Sequence, residues 1–142
     1  MARTVNPTVE LLRNVDLLEG LTTKELEAVA DVCKRAQFRT GENIITQGDP
    51  SARLYIIVDG TADVLVHGTK VEAIGPGDYF GEIAVIDGQP RAATVRATSP
   101  VSALSLANFN VKRLLRTMPN IGFKMLRKAC ERIRALESEP II

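Results

Sequence analysis

The sequence has no tryptophan, one histidine, two cysteines and almost no net charge, and each shortage removes a class of function. A single histidine, His67, cannot supply the two or three imidazoles that a cupin-like metalloenzyme converges on its metal. It lies in His67-Gly68-Thr69, the tip of an expected hairpin, where a water-facing turn residue accounts for it. No serine or cysteine sits in a nucleophile motif, and no second histidine is there to act as its base. Metal-assisted phosphodiester hydrolysis lacks its ligand cluster as well. No catalytic residue and no metal ligand is expected. Cys33 and Cys130 stand far apart, each in an expected helix without CxxC spacing, which indicates two buried free thiols in a reducing cytosol. A formal net charge of +1 gives no field that would draw the chain onto nucleic acid or an anionic membrane. Apolar runs stop after a few residues, as in Ile56-Ile57-Val58, so no membrane insertion is expected. The start, Met1 to Pro7, lacks the apolar stretch of a secretory signal. The expectation is a cytoplasmic protein that carries no cofactor.

What is present is an ordinary globular composition, 45% hydrophobic and 25% charged, in 142 residues, enough for a single domain over 1–142. Three zones divide it. Residues of about 8–36 are expected to be helical, with a short helix near Thr8 to Asn14. A capping box at Thr22-Thr23-Lys24-Glu25 then opens a stripe of Leu26, Val29, Ala30 and Cys33. From about 37 to 107 the period changes to short β-branched runs: Asn43–Thr46, Leu54–Val58, Ala62–Val66, Val71–Ile74, Ala93–Ala97 and Val101–Leu106. Glycine turns separate them at regular intervals, which indicates a jelly-roll-like antiparallel β-barrel. From about 108 to 137 two helices follow. Asn108 is expected to cap the first, carrying Val111, Leu114 and Leu115, and the second is expected to start near Pro119 or Asn120. Ile121, Met125, Ala129, Ile133 and Leu136 form its expected apolar face.

One segment, Gly75 to Ala97, departs from the strand rhythm. Gly81 opens about one helical turn, Glu82-Ile83-Ala84-Val85, whose first amides are unpaired and can receive an anion. Glycine also permits close approach of the backbone to a ligand. Arg91 follows Pro90 at the expected start of a strand, and its planar guanidinium suits two phosphate oxygens. Glu82 would be repelled by a phosphate, and a ribose hydroxyl is a suitable partner for it instead. These residue types describe a nucleotide pocket. Spacing alone favours the plainer reading, in which Glu82 and Arg91 pair with each other as a loop salt bridge.

Phe80-Gly81-Glu82-Ile83-Ala84 and Pro90-Arg91-Ala92-Ala93-Thr94-Val95 closely resemble the phosphate-binding cassette, 80–95 here, of the cyclic nucleotide-binding domain family. That family includes regulatory subunits of cAMP-dependent protein kinase, the catabolite activator protein and the cytoplasmic domains of cyclic-nucleotide-gated channels. Gly41-Glu42 with Ile45, Gln47-Gly48-Asp49, Leu54-Tyr55-Ile56-Ile57, Gly60 and the lead-in at Asn14–Leu21 extend the likeness over roughly 14–137. The resemblance implies a cyclic nucleotide as ligand. It gives Arg91 the exocyclic phosphate oxygens, with the amides of Ala84 and Ala92, and gives Glu82 and the Gly81 amide the ribose 2′-hydroxyl. Val66, Val71 and Ile83 would be neighbours of the base. Alanine after the arginine accompanies cAMP in the family, so Ala92 implies cAMP, with weaker binding of cGMP possible. In some bacterial potassium channels of the family an arginine near the end of the last helix covers the purine. Arg132 resembles it, with Arg127 and Arg134 as alternatives and a solvated helix charge as the plain reading.

The expected function is a non-catalytic sensor whose C-terminal helix, a lid, moves when cAMP binds. Its effector, a partner protein or a further domain, is not named by the sequence. With no DNA-binding or membrane segment in the sequence, the expectation is either a stand-alone sensor or a domain cut from something larger, and Met1 with no tag leans toward the first. The other readings are a ligand-free barrel-fold interaction module, which should have lost Arg91 or Glu82, and the metalloenzyme set aside above.

Overall fold

In the computed structural model, residues 6–136 are described. The Asn6 side chain accepts from the Thr8 amide and starts α1 (Pro7–Leu12), and a single 3-10 turn follows at Asp16–Leu18. The capping box then forms as its spacing implies. Glu25 N–H donates to Thr22 Oγ1 at 3.1 Å and Thr22 N–H to Glu25 Oε1 at 2.9 Å, opening α2 (Thr23–Val32). Val9, Leu12, Leu18, Leu26 and Val29 turn inward and pack against buried strand residues such as Ile56 and Leu106.

The helical zone is shorter than expected. β1 (Lys34–Phe38) begins inside it, because pairing with β8 (Val101–Ala107), from Lys34↔Ser105 to Phe38↔Val101, overrides a polar local sequence. The remaining strands are β2 (Asn43–Ile45), β3 (Arg53–Asp59), β4 (Ala62–Val66), β5 (Thr69–Ile74), β6 (Tyr79–Phe80) and β7 (Thr94–Ala97). They form two antiparallel four-stranded sheets in the orders β1-β8-β3-β6 and β2-β7-β4-β5. Ile45, Ile57, Phe80, Val95 and Val101 fill the space between them. The jelly-roll-like architecture is therefore as expected, although among the described residues no hydrogen-bonded ladder closes the two sheets into one barrel. The β4–β5 hairpin reverses at His67 and Gly68, both with positive φ, and His67 faces water.

Two helices close the fold, α4 (Asn108–Thr117) and α5 (Pro119–Leu136). Asn108 does not cap α4. It is the first helical residue, Ala107 occupies the cap position, and the buried Asn108 Oδ1 has no hydrogen-bond partner. The expected apolar face of α5 buries only Ile121 and Met125, and Ala129, Ile133 and Leu136 are exposed. The cause is helical drift. Each four-residue step turns about 40° beyond a full turn, so the stripe leaves the core and the inward face continues through Lys128 and Arg132. The cysteines are free, but they are not both buried. Cys33, at the end of α2, is half-buried and Cys130 lies on the exposed side of α5. No described helix is long and apolar enough to cross a membrane.

Candidate functional site

The site is built around a glycine that no other residue can replace without strain. Gly81, directly after β6, has φ 91°, and a Cβ there would collide with the Arg53 carbonyl oxygen of β3. That close passage starts α3 (Glu82–Asp87), whose N-terminus receives no side-chain cap. Ala84 is buried beneath the turn, and Ile83 is half-exposed beside it.

Arg91 lies in an irregular stretch ahead of β7, not at the start of a strand as expected. Its backbone is occupied by the Gly48-Asp49 turn instead of a ladder. Arg91 N–H donates to the Asp49 carbonyl at 2.8 Å, and Gly48 N–H donates to the Arg91 carbonyl at 2.9 Å. The side chain is only 3% exposed. Nη1 donates to the carbonyls of Arg53 and Gly81, both at 3.1 Å, and Nε to Ser51 Oγ at 3.4 Å. All of these partners are uncharged. No carboxylate pairs with Arg91 among the described residues. Burial pulls its pKa below the usual arginine range. A guanidinium this deep without a counter-ion makes a place for an anion.

The loop salt bridge between Glu82 and Arg91 does not form, because Glu82 has another cation. Arg132 of α5 donates from Nη1 to Glu82 Oε1 at 3.2 Å, and its Nη2 lies 3.4 Å from Oε2 of Glu72 on β5. Its Nε is buried without a partner. Of the three arginines considered on this helix, Arg132 is the one brought to Glu82. Arg127 faces Glu131 along the exposed side, and Arg134 is exposed. Glu72 escaped the sequence reading. β5 pairs with β4 as Val64↔Glu72 and Leu65↔Lys70, so Val71 is the extra residue of a bulge, 51% exposed. Val66 is half-buried at the end of β4, and Ala92 is exposed next to Arg91. Gln47, part of the family likeness, ties two loops together. Its Oε1 accepts the His67 N–H at 2.9 Å and its Nε2 meets His67 Nδ1 at 3.2 Å, tying the hairpin to the turn that holds Arg91.

A separate cleft of about 280 Å³ lies between the 3-10 turn, Gly77–Tyr79 and α5. Its Lys128 already pairs with Asp78 at 3.9 Å and sits over the Tyr79 ring, and its lining includes none of Glu72, Gly81, Glu82, Arg91 and Arg132. Arg91 is the buried cation with no carboxylate in contact among the described residues, and the candidate site is placed there. Among the described residues no group of three or more His, Cys, Asp or Glu side chains could hold a metal ion.

Residues 35–118 match the profile of the cyclic nucleotide-binding domain. The chain belongs to the cyclic nucleotide-binding domain family. It is 39% identical over 112 residues to a cAMP-dependent protein kinase regulatory subunit of Emericella nidulans, covering 78% of this chain and 27% of that protein. The domain thus spans about a quarter of that relative. Its fold is similar to the regulatory domain of Toxoplasma gondii PKA in co-crystals with cAMP, with TM-score 0.77 and 31% identity over 87% of this chain and 49% of the other. It is also similar to the regulatory subunit of a cAMP-independent protein kinase A from Trypanosoma cruzi bound to guanosine. There the TM-score is 0.75 and the identity 32%, over 82% of this chain and 42% of that one.

Proposed function

We propose that this domain binds cAMP as a regulatory sensor, with Arg91 holding the cyclic phosphate and Glu82 the ribose 2′-hydroxyl. One observation carries the reading: Arg91 is a buried cation whose hydrogen-bond partners are all neutral. A phosphate would supply the missing charge, assisted by the open amides at the start of α3. The amides of Ala84 and Ala92 are assigned to that cradle, the Gly81 amide to the ribose, and Val66, Val71 and Ile83 to the base. Ala92, with no hydroxyl to offer guanine, favours cAMP over cGMP. Kinship with protein kinase regulatory subunits supports an output through a partner protein in the cytoplasm, with α5 as the moving element.

Titration calorimetry with cAMP, cGMP and guanosine tests the proposal. The expected order is cAMP tightest, cGMP weaker and guanosine weakest, because guanosine brings no phosphate to Arg91. Guanosine binding as tightly as cAMP would remove the role given to Arg91.

A further inference from the structure

Arg132 is divided between two carboxylates, and the division decides what Glu82 has left for a ligand. A guanidinium fork fits both oxygens of one carboxylate, and a bidentate grip is the strongest geometry such a pair can take. Here the fork is split, with Nη1 on Oε1 of Glu82 and Nη2 toward Oε2 of Glu72. Oε2 of Glu82 accepts no hydrogen bond among the described residues, although the Glu82 side chain is only 12% exposed. The trio carries two negative charges against one positive, so Glu72 is more than Arg132 needs for neutrality. The Val71 bulge brings Glu72 opposite Val64, and the inward face of α5 brings Arg132 to it.

We infer that Glu72 is a positioning residue of the nucleotide site. By drawing Nη2 away, it keeps Arg132 from closing on both oxygens of Glu82 and so reserves Oε2 for the ribose 2′-hydroxyl. The inference rests on the reading of Glu82 as the ribose acceptor. Glu72→Gln removes the competing charge while keeping the size of the side chain. Arg132 is then free to close its fork on Glu82 alone, which takes one lone pair of Oε2 and part of its charge and weakens its bond to the ribose hydroxyl.

The test is titration calorimetry with cAMP and its 2′-deoxy analogue on the full chain. The proteins are the parent, Glu72→Gln, Arg132→Ala and the double variant. A hydrogen bond to a charged acceptor gives the parent a preference for cAMP of about tenfold or more. In Glu72→Gln that preference should fall to about threefold or less, and adding Arg132→Ala should restore it. A part in fold stability alone would weaken both ligands equally and leave their ratio where it was. That result, or a double variant no better than Glu72→Gln, overturns the inference and leaves the nucleotide reading intact. A folded parent that binds neither ligand overturns the nucleotide reading and this inference together.

Discussion

Arg91 and Gly81 are in direct contact: Arg91 Nη1 donates to the Gly81 carbonyl at 3.1 Å, and a Cβ on Gly81 would come within 2.8 Å of that nitrogen. The glycine and the arginine are therefore two halves of one fitting. Gly81→Ala should destabilise the fold by more than about 2 kcal/mol, since it adds backbone strain at φ 91° to a collision with Arg53. Gly60→Ala is the control. It has the same φ and would meet the Pro100 carbonyl oxygen, far from Arg91 in sequence and bonding. Urea titrations should show both variants destabilised. Only Gly81→Ala should also lose ligand affinity in the fraction that folds, and equal affinity losses would contradict this account.

Replacing Arg91 separates binding from folding. Arg91→Ala should weaken cAMP binding by about 2–5 kcal/mol, roughly thirtyfold to several thousandfold. Arg91→Lys should recover part of this, because a point charge cannot span two oxygens in a plane. Calorimetry on folded variants reads both. Parent-like affinity in Arg91→Ala would move the phosphate elsewhere.

Ligand choice tests Ala92. Ala92→Thr places a hydroxyl on an exposed position beside Arg91 and should narrow the gap between cAMP and cGMP. A gap unchanged by the substitution would leave Ala92 without a part in selectivity.

The thiols should respond unequally. Burial pushes the Cys33 thiol up from 9.0 to about 12, while Cys130 is exposed. Iodoacetamide on native protein should modify Cys130 and reach Cys33 only after denaturation. Tyr79 is also pushed up, from 10.0 to about 12, first by burial and then by the negative charge of Glu82. Both groups hold their protons longer when folded, so their stabilisation is complete below pH 9 for Cys33 and below pH 10 for Tyr79, and is lost from there toward pH 12. The slope is at most about 1.4 kcal/mol per pH unit for each group. Urea midpoints measured from pH 8 upward check it, and Cys33→Ala should make the first part of the decline shallower.

What could be read in advance was whatever the chain states locally. The capping box at Thr22, the turn at His67-Gly68 and the short helix opened by Gly81-Glu82 are short-range statements, and the structure brings those residues to their expected elements, whereas Arg91 lies ahead of the strand expected to start with it. β1 was hidden, because Lys34, Arg35 and Gln37 look like the wet side of a helix and only pairing with β8 makes them a strand. The split pair around Arg132 was hidden for a similar reason. Glu72 is sixty residues away in sequence, its orientation depends on a bulge, and the inward face of α5 follows helical drift instead of the apolar stripe. Asn108 misled in the opposite direction, since a preferred capping residue one position late offers nothing to cap.

Lys124 sets a mechanical condition on any signal that leaves through α5. Its ammonium donates to the carbonyls of Asp16 at 3.1 Å and Glu19 at 2.7 Å, at the two ends of the 3-10 turn. A rotation of the helix about its first turn must either tear both contacts or drag that turn with it. Bending beyond Met125 is the remaining way to displace Arg132 alone. The two ends of the fold are thereby geared together, and a probe fixed near Leu17 would register a rotation of the whole helix but not a bend beyond Met125.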